Sequence, residues 1–264
     1  AIYLKQNPKN RDVDPNHVSY LAEQMLNGEW LENGQTIVIS KTGDLVDGQH
    51  RLQAIIESGV TLELLVTTGV DDVVIHTIDS GKARKLGDIF HMEGHSYCSN
   101  KASMASSLYK WKKKNLHSQS GGVWKNGAPS LDILYKQYMS HEKAADEAVK
   151  LANCNADLFF MSRGDVALAY FLIKKNYKGK ADEFFKLITD GGDYAKSPTH
   201  ALPTFIHKRK RDPLAIRYRK EDFYLILHCF EEWIAGNEMS TITDGRLKKI
   251  IGGAPNFYPN YKMS

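Results

Sequence analysis

A chain of 264 residues with 42% hydrophobic and 25% charged side chains is long enough to bury a core and has the balance of a soluble globular protein. Its apolar runs fall short of the ~20 residues that cross a bilayer, so no membrane partner is expected. The net charge of +4 permits nucleic-acid binding without arguing for it.

Cys98, Cys154 and Cys229 are odd in number, far apart and in no zinc-site spacing. Ala1 to Lys5 lack the long apolar stretch of a signal peptide. Together these features lead to the expectation of free thiols in a reducing cytoplasm.

The first third reads as mixed α/β. Asp14 is a candidate N-cap with Pro15 at the first helical position, and Val18, Leu21, Ala22 and Met25 recur at helical spacing until Gly28. Residues 36–39 form a short β-branched run, Thr42-Gly43-Asp44 a turn, and Leu45-Val46 a second strand, which together predict a hairpin. Gly48 breaks that strand, and Leu52, Ala54, Ile55 and Ile56 continue as a helix to Gly59. The apolar run Leu62 to Val66 reads as a third strand.

From residue 84 onward the periodicity is helical, with segments near 84–93, 98–114, 130–151, 163–176, 180–189, 199–210 and 220–235. A loop is expected over 118–130 and an irregular tail over 252–264. The fold class expected is α+β: a small mixed α/β domain over residues 1–95, then an all-helical domain over 96–264.

A strand that ends in Asp47-Gly48 and turns at once into a helix is a recurrent anion-binding device. The helix start leaves backbone N–H groups without partners and carries about half a positive charge. Gly48 permits close approach of the main chain, and His50 and Arg51 bring donors to the same place, an arginine fork being matched to phosphate. Asp47 could orient an attacking hydroxyl or water, or simply cap the helix. The plain alternative is a strand–turn–helix with a solvated His50 and Arg51.

Asn7-Pro8-Lys9-Asn10-Arg11 resembles the N-P-x-x-R opening of ParB-type proteins. Residues 43–55, containing Asp47-Gly48-Gln49-His50-Arg51, resemble the phosphate loop and helix of the ParB/sulfiredoxin superfamily, with the same order and spacing of elements over about the first 90 residues. The resemblance implies a nucleotide-binding module for ATP, ADP or CTP with Mg2+. Sulfiredoxin's cysteine is replaced by Gln49, which excludes its thiol chemistry, and the G-E-R-R of partition proteins is replaced by Gly48-Gln49-His50-Arg51. The D-G-x-H-R form looks closest to the superfamily's free-serine kinases and to proteins of DNA-modification systems and phages.

By the same resemblance Asn10 and Arg11 would line the nucleotide pocket with Gly48, Gln49, His50 and Arg51. Ile78-Asp79-Ser80-Gly81-Lys82-Ala83-Arg84 would form a second box, with Asp79 on Mg2+ and Lys82 and Arg84 balancing phosphates. A helix-capping Asp79 beside surface cations is the alternative. His76, His91 and His95 show no metal spacing.

Two basic clusters stand apart from this module. Lys110, Lys112, Lys113 and Lys114 end one helix, where cations are favourable for dipole reasons alone. Lys208, Arg209, Lys210, Arg211, Arg217 and Arg219 form a denser patch that could neutralise phosphates of DNA. Tyr109, Trp111 and Tyr218 could stack on bases but sit at core-like helical spacing.

Phe184-Phe185, Leu202, Phe205 and Phe230 to Trp233 resemble the C-terminal part of phage and actinobacterial ParB-like proteins. Three readings follow: a Mg2+-dependent nucleotide hydrolase or phosphotransferase, possible in phage DNA modification; a ParB-like DNA-binding regulator with nucleotide as its switch; or a remnant fold used as an interaction module.

Overall fold

The computed structural model describes residues 2–5, 7, 10, 12–71, 73–74, 84–113, 129–155, 162–211, 219–243, 245 and 261. The chain is α+β, with eleven α-helices and three β-strands among the described residues. It divides into two compact units, 1–83 with 120–129 and 84–119 with 130–264, so that the first boundary falls between Ala83 and Arg84. The helix after this point, expected in the first domain, buries Leu86 and Phe90 in the core of the second.

In the first unit a short helix α1 (Ile2–Lys5) precedes α2 (Pro15–Leu26). Asp14 caps α2 by accepting from the N–H groups of Asn16 at 3.0 Å and His17 at 3.5 Å. That cap satisfies donors the helix cannot satisfy itself, and Pro15 supplies a preset φ. The stripe Val18, Leu21, Ala22 and Met25 is buried, as its spacing requires.

Strand β1 (Ile37–Ser40) pairs antiparallel with β2 (Leu45–Asp47) and parallel with β3 (Val66–Val70), giving the order β2-β1-β3. Helix α3 (Gln49–Ser58) leaves β2 through Gly48 and ends at Gly59, both in the left-handed region. Ala54 of α3 joins the α2 cluster, whereas Leu52 packs with Ile37, Ile39 and Leu45 of the sheet. One helix therefore serves two small cores.

The third strand starts later than its apolar run suggests. Leu62 and Leu64 spend their side chains on the two cores as irregular extended chain, and ladder pairing with β1 begins only at Val66. β3 itself is exposed. Apolar content marked what packs, not what pairs.

The second unit contains α4 (Leu86–Met92), α5 (Cys98–Lys112), α6 (Leu131–Met139), α7 (Glu142–Cys154), α8 (Arg163–Asn176), α9 (Lys180–Thr189), α10 (Pro198–Arg211) and α11 (Arg219–Ile234). Every residue from Val166 to Ile173 is buried, so α8 is the central helix, apolar all round, with neighbours α5, α7, α9 and α11. Phe184, Phe230 and Trp233 form one aromatic wall with ring centroids 5.2–6.0 Å apart. Tyr109 and Trp111 pack against the same core.

The single helix expected over 130–151 is two. Ser140 ends α6, its hydroxyl bonding the Gln137 carbonyl at 2.7 Å, and the His141 N–H closes a tight turn on the Tyr138 carbonyl at 2.9 Å. The break re-aims the chain so that Leu134 and Tyr138 before it, and Ala145 and Ala148 after it, reach one core. The expected loop at 118–130 and the tail at 252–264 lie almost wholly outside the described residues.

Helices α5 and α8 cross most closely at Gly164. A Cβ there would stand 2.3 Å from Ser103 Oγ and 2.5 Å from the Met104 nitrogen. Gly164→Ala must push backbone apart, and overpacking of this kind costs about 1–3 kcal/mol. Urea denaturation followed by circular dichroism should show that loss, against a change within about 0.5 kcal/mol for the exposed Lys178→Ala.

Candidate functional site

The turn between β2 and α3 is built around two constraints, one steric and one polar. Gly48 has φ +102°, and a Cβ there would lie 2.4 Å from the end of the Ile37 side chain, Cδ1, which would have to move. Only glycine meets both conditions at low cost.

Arg51, one turn into α3, points inward. Its Nη1 donates to the Gln35 carbonyl at 3.0 Å, and its Nη2 donates to the Thr36 carbonyl at 2.9 Å and to Asp47 Oδ2 at 2.9 Å. The Arg51 side chain is 10% exposed and that of Asp47 34%. The other carboxylate oxygen, Asp47 Oδ1, accepts from the Gly48 N–H at 2.7 Å. A guanidinium this buried must have acceptors, and the chain entering β1 supplies them. The fork expected to grip phosphate thus holds the loop in shape.

His50 is likewise committed. Its Nε2 accepts from the Asp14 N–H at 3.0 Å, which places the proton of the neutral ring on Nδ1. His17 meets the same ring edge-on at 5.3 Å. The start of α2 and the start of α3 are therefore tied through one imidazole.

The opening segment lies on the loop. Asn7 Nδ2 donates to Gln49 Oε1 at 2.8 Å, and Asn10 Nδ2 donates to the Leu45 carbonyl at 2.6 Å and to Asn7 Oδ1. Residues some forty positions apart in sequence thus meet at one place, and Asn10, Gly48, Gln49, His50, Arg51 and Asp47 form a single constellation. The N-cap of α3 is Gly48, which has no side chain to close the helix start as Asp14 closes that of α2.

Arg11, Asp79 and Lys82 lie outside the described residues, as does His76. Arg84 is exposed ahead of α4 in the second unit. Of the basic patch, Lys208 and Arg211 are exposed at the end of α10, and the Arg209 guanidinium lies 5.3 Å from the centre of the Phe205 ring. Arg217 and the side chains of Lys210 and Arg219 lie outside the description.

The second unit holds a polar cluster that spacing did not reveal. Lys101, 3% exposed, places Nζ 2.7 Å from Asp146 Oδ1, 2.8 Å from Oδ2 and 3.1 Å from His95 Nδ1. The Tyr138 hydroxyl donates to Asp146 Oδ1 at 2.7 Å, and burial, then that hydrogen bond and charge, hold its phenol well above the ordinary range. Ligand atoms of His95, Glu142 and Asp146 lie within 4.8 Å of one another, a set of the kind that can hold a metal. The Lys101 ammonium already meets two of the three, so a fixed side-chain cation occupies the position a divalent ion would take. One sequence signal was available: Lys101 shares the buried stripe of Met104, Ala105 and Leu108 on α5.

Comparisons with protein-family models, with curated proteins and with solved structures each find no match.

Two substitutions separate these roles. Arg51→Ala removes three hydrogen bonds from part-buried acceptors and should lower the stability of the first unit by about 1–3 kcal/mol, read by hydrogen exchange of α3 amides. Lys101→Ala should cost the second unit about 2–3 kcal/mol, less than breaking a fully buried pair because Asp146 is 39% exposed. With the ammonium gone, Zn2+ should raise the melting temperature of Lys101→Ala and leave the wild type unmoved.

Proposed function

We propose that the first unit is a nucleotide-binding module of the ParB/sulfiredoxin kind, taking ATP, ADP or CTP with Mg2+ at the turn 47–51, and that the protein hydrolyses the nucleotide or transfers its phosphoryl group. The observation that carries the reading is the start of α3: a ten-residue helix entered through a left-handed glycine that has no side chain of its own to close the helix start. Main-chain N–H groups and the helix dipole are the attracting elements.

Arg51 neutralises Asp47 rather than meeting the ligand, which keeps a carboxylate at the mouth from repelling phosphate. Asn7 and Asn10 hold the opening segment where it can flank the nucleotide. Asp79 is the proposed Mg2+ ligand, with Lys82 as a further counter-charge. Phosphoryl transfer asks mainly for positioning and charge neutralisation, which such a turn supplies. The setting that fits is the cytoplasm of a bacterium or a phage-infected host, in DNA modification or metabolism.

A second reading has its own support in the exposed Lys208 and Arg211 at the end of α10: a regulator that binds DNA and uses nucleotide as its switch.

Calorimetry with ATP, ADP and CTP in the presence of Mg2+ should give micromolar binding to the wild type, about −8 kcal/mol, and at least about tenfold weaker binding to a folded Gly48→Ala variant. Phosphate release above the uncatalysed level favours the enzyme. Binding without turnover favours the regulator, provided duplex DNA also binds and the Lys208→Gln/Arg211→Gln pair reduces its salt slope by about 2. No heat with any nucleotide removes the proposal.

A further inference from the structure

The second unit has a cleft of about 260 Å3 lined by His141, Ala144, Phe171, Lys174 and Lys175, at the start of α7 and the last turn of α8. An apolar cavity of about 150 Å3 holds benzene, so this one has room for a ring and a substituent. Its two rings, His141 and Phe171, stand 5.4 Å apart at 55°; Phe171 is 3% exposed, so the half-buried His141 supplies most of the accessible aromatic surface.

The two neighbouring lysines are in different electrical states. Lys174 is already neutralised: it bonds Glu147, the Tyr170 hydroxyl at 2.9 Å and Asp182 at 3.4 Å. Burial works against its charge, but those partners win and raise its pKa. Lys175 is different. Its ammonium lies over the Phe171 ring at 5.9 Å, and among the described residues no carboxylate pairs with it.

Other charges at the cleft point the same way. His141 is held below its ordinary pKa by burial first and then by Lys175 and Lys112, so at neutral pH the imidazole is an uncharged hydrogen-bonding group beside cations. Glu142, in the first turn of α7, offsets part of that helix's positive end. The net attraction for an anion therefore comes from Lys175, with Lys112 adding to the field.

We propose that this cleft binds a small aromatic anion, its ring against His141 and Ala144 with the edge of Phe171 behind them, and its carboxylate or phosphate on Lys175. An apolar wall with one uncompensated cation selects against both a neutral aromatic, which would leave Lys175 without a counter-charge, and a bare inorganic ion, which would waste the ring surface. The lysines could instead serve only the C-terminal dipole of α8. That alternative predicts no dependence on the ring.

The site is independent of the turn at 47–51, and the two proposals fail separately. Calorimetry on the full chain at low ionic strength, with phenyl phosphate, benzoate, inorganic phosphate and benzyl alcohol as probes, decides the matter. Phenyl phosphate is expected to bind at least about tenfold more tightly than inorganic phosphate or benzyl alcohol, since ring burial and charge pairing each contribute. Lys175→Met should weaken it by about five- to tenfold. Ala144→Trp, at an exposed position, should fill the cleft and abolish binding while the circular dichroism spectrum stays that of the wild type. Lys178→Met, an exposed lysine outside the cleft, should change nothing. Equal affinity for phenyl phosphate and inorganic phosphate, or wild-type affinity in both Lys175→Met and Ala144→Trp, overturns the proposal.

Discussion

The first unit depends on one buried guanidinium. Arg51 reaches back from α3 to two carbonyls on the approach to β1 and to the carboxylate that ends β2. Those three acceptors belong to two segments, the chain entering β1 and the end of β2, so the fork sets where the helix starts relative to the sheet. Gly48 is the complementary condition, because the guanidinium can fold back only if the chain turns through a left-handed residue with no side chain against Ile37. The turn is rigid for reasons that do not require a ligand. A preformed anion site gains from that rigidity, since little ordering remains to oppose binding.

Around this turn the unit is economical. Two clusters of four or five apolar residues share α3 between them, and the polar groups that would otherwise be stranded are joined in pairs: Asp14 with His50, Asn7 with Gln49, Asn10 with the Leu45 carbonyl. These bonds link the opening segment and two helix starts to one loop. The side chains around the start of α3 therefore act as scaffold for the turn.

The second unit is organised by bulk apolar packing instead. α8 is buried on every side, and the close passage at Gly164 lets α5 lie against it. The buried Lys101 is answered by Asp146 and His95, and the part-exposed Lys174 by Glu147 and Asp182. For Lys101 burial makes the pairing obligatory, because an unpaired ammonium in a low-dielectric core costs several kcal/mol. Lys175, held only over an aromatic ring, is the exception beside a cleft, and the contrast with its neighbour gives that cleft its chemical character.

Local pattern carried a good part of the fold. The cap and stripe of α2, the hairpin, the start of α3 at Gly48 and most boundaries of the helical unit follow from capping chemistry and 3.6-residue periodicity, which act over a few neighbours and are written in order along the chain. Three matters needed tertiary structure. Register placed β3 after its apolar run, since pairing depends on where β1 lies. A shared core broke α6 from α7 at Ser140, where no glycine or proline marks the site. The direction of Arg51 was open too: the same side chain could face a ligand or the interior, and only the position of the Gln35 and Thr36 carbonyls decides it. The meeting of Lys101 with Asp146, 45 residues apart, is of the same kind. Short-range sterics and hydrogen bonding can be read from residue order, whereas the partner of a buried charge is fixed by which distant segments the packed core brings within 3 Å of it.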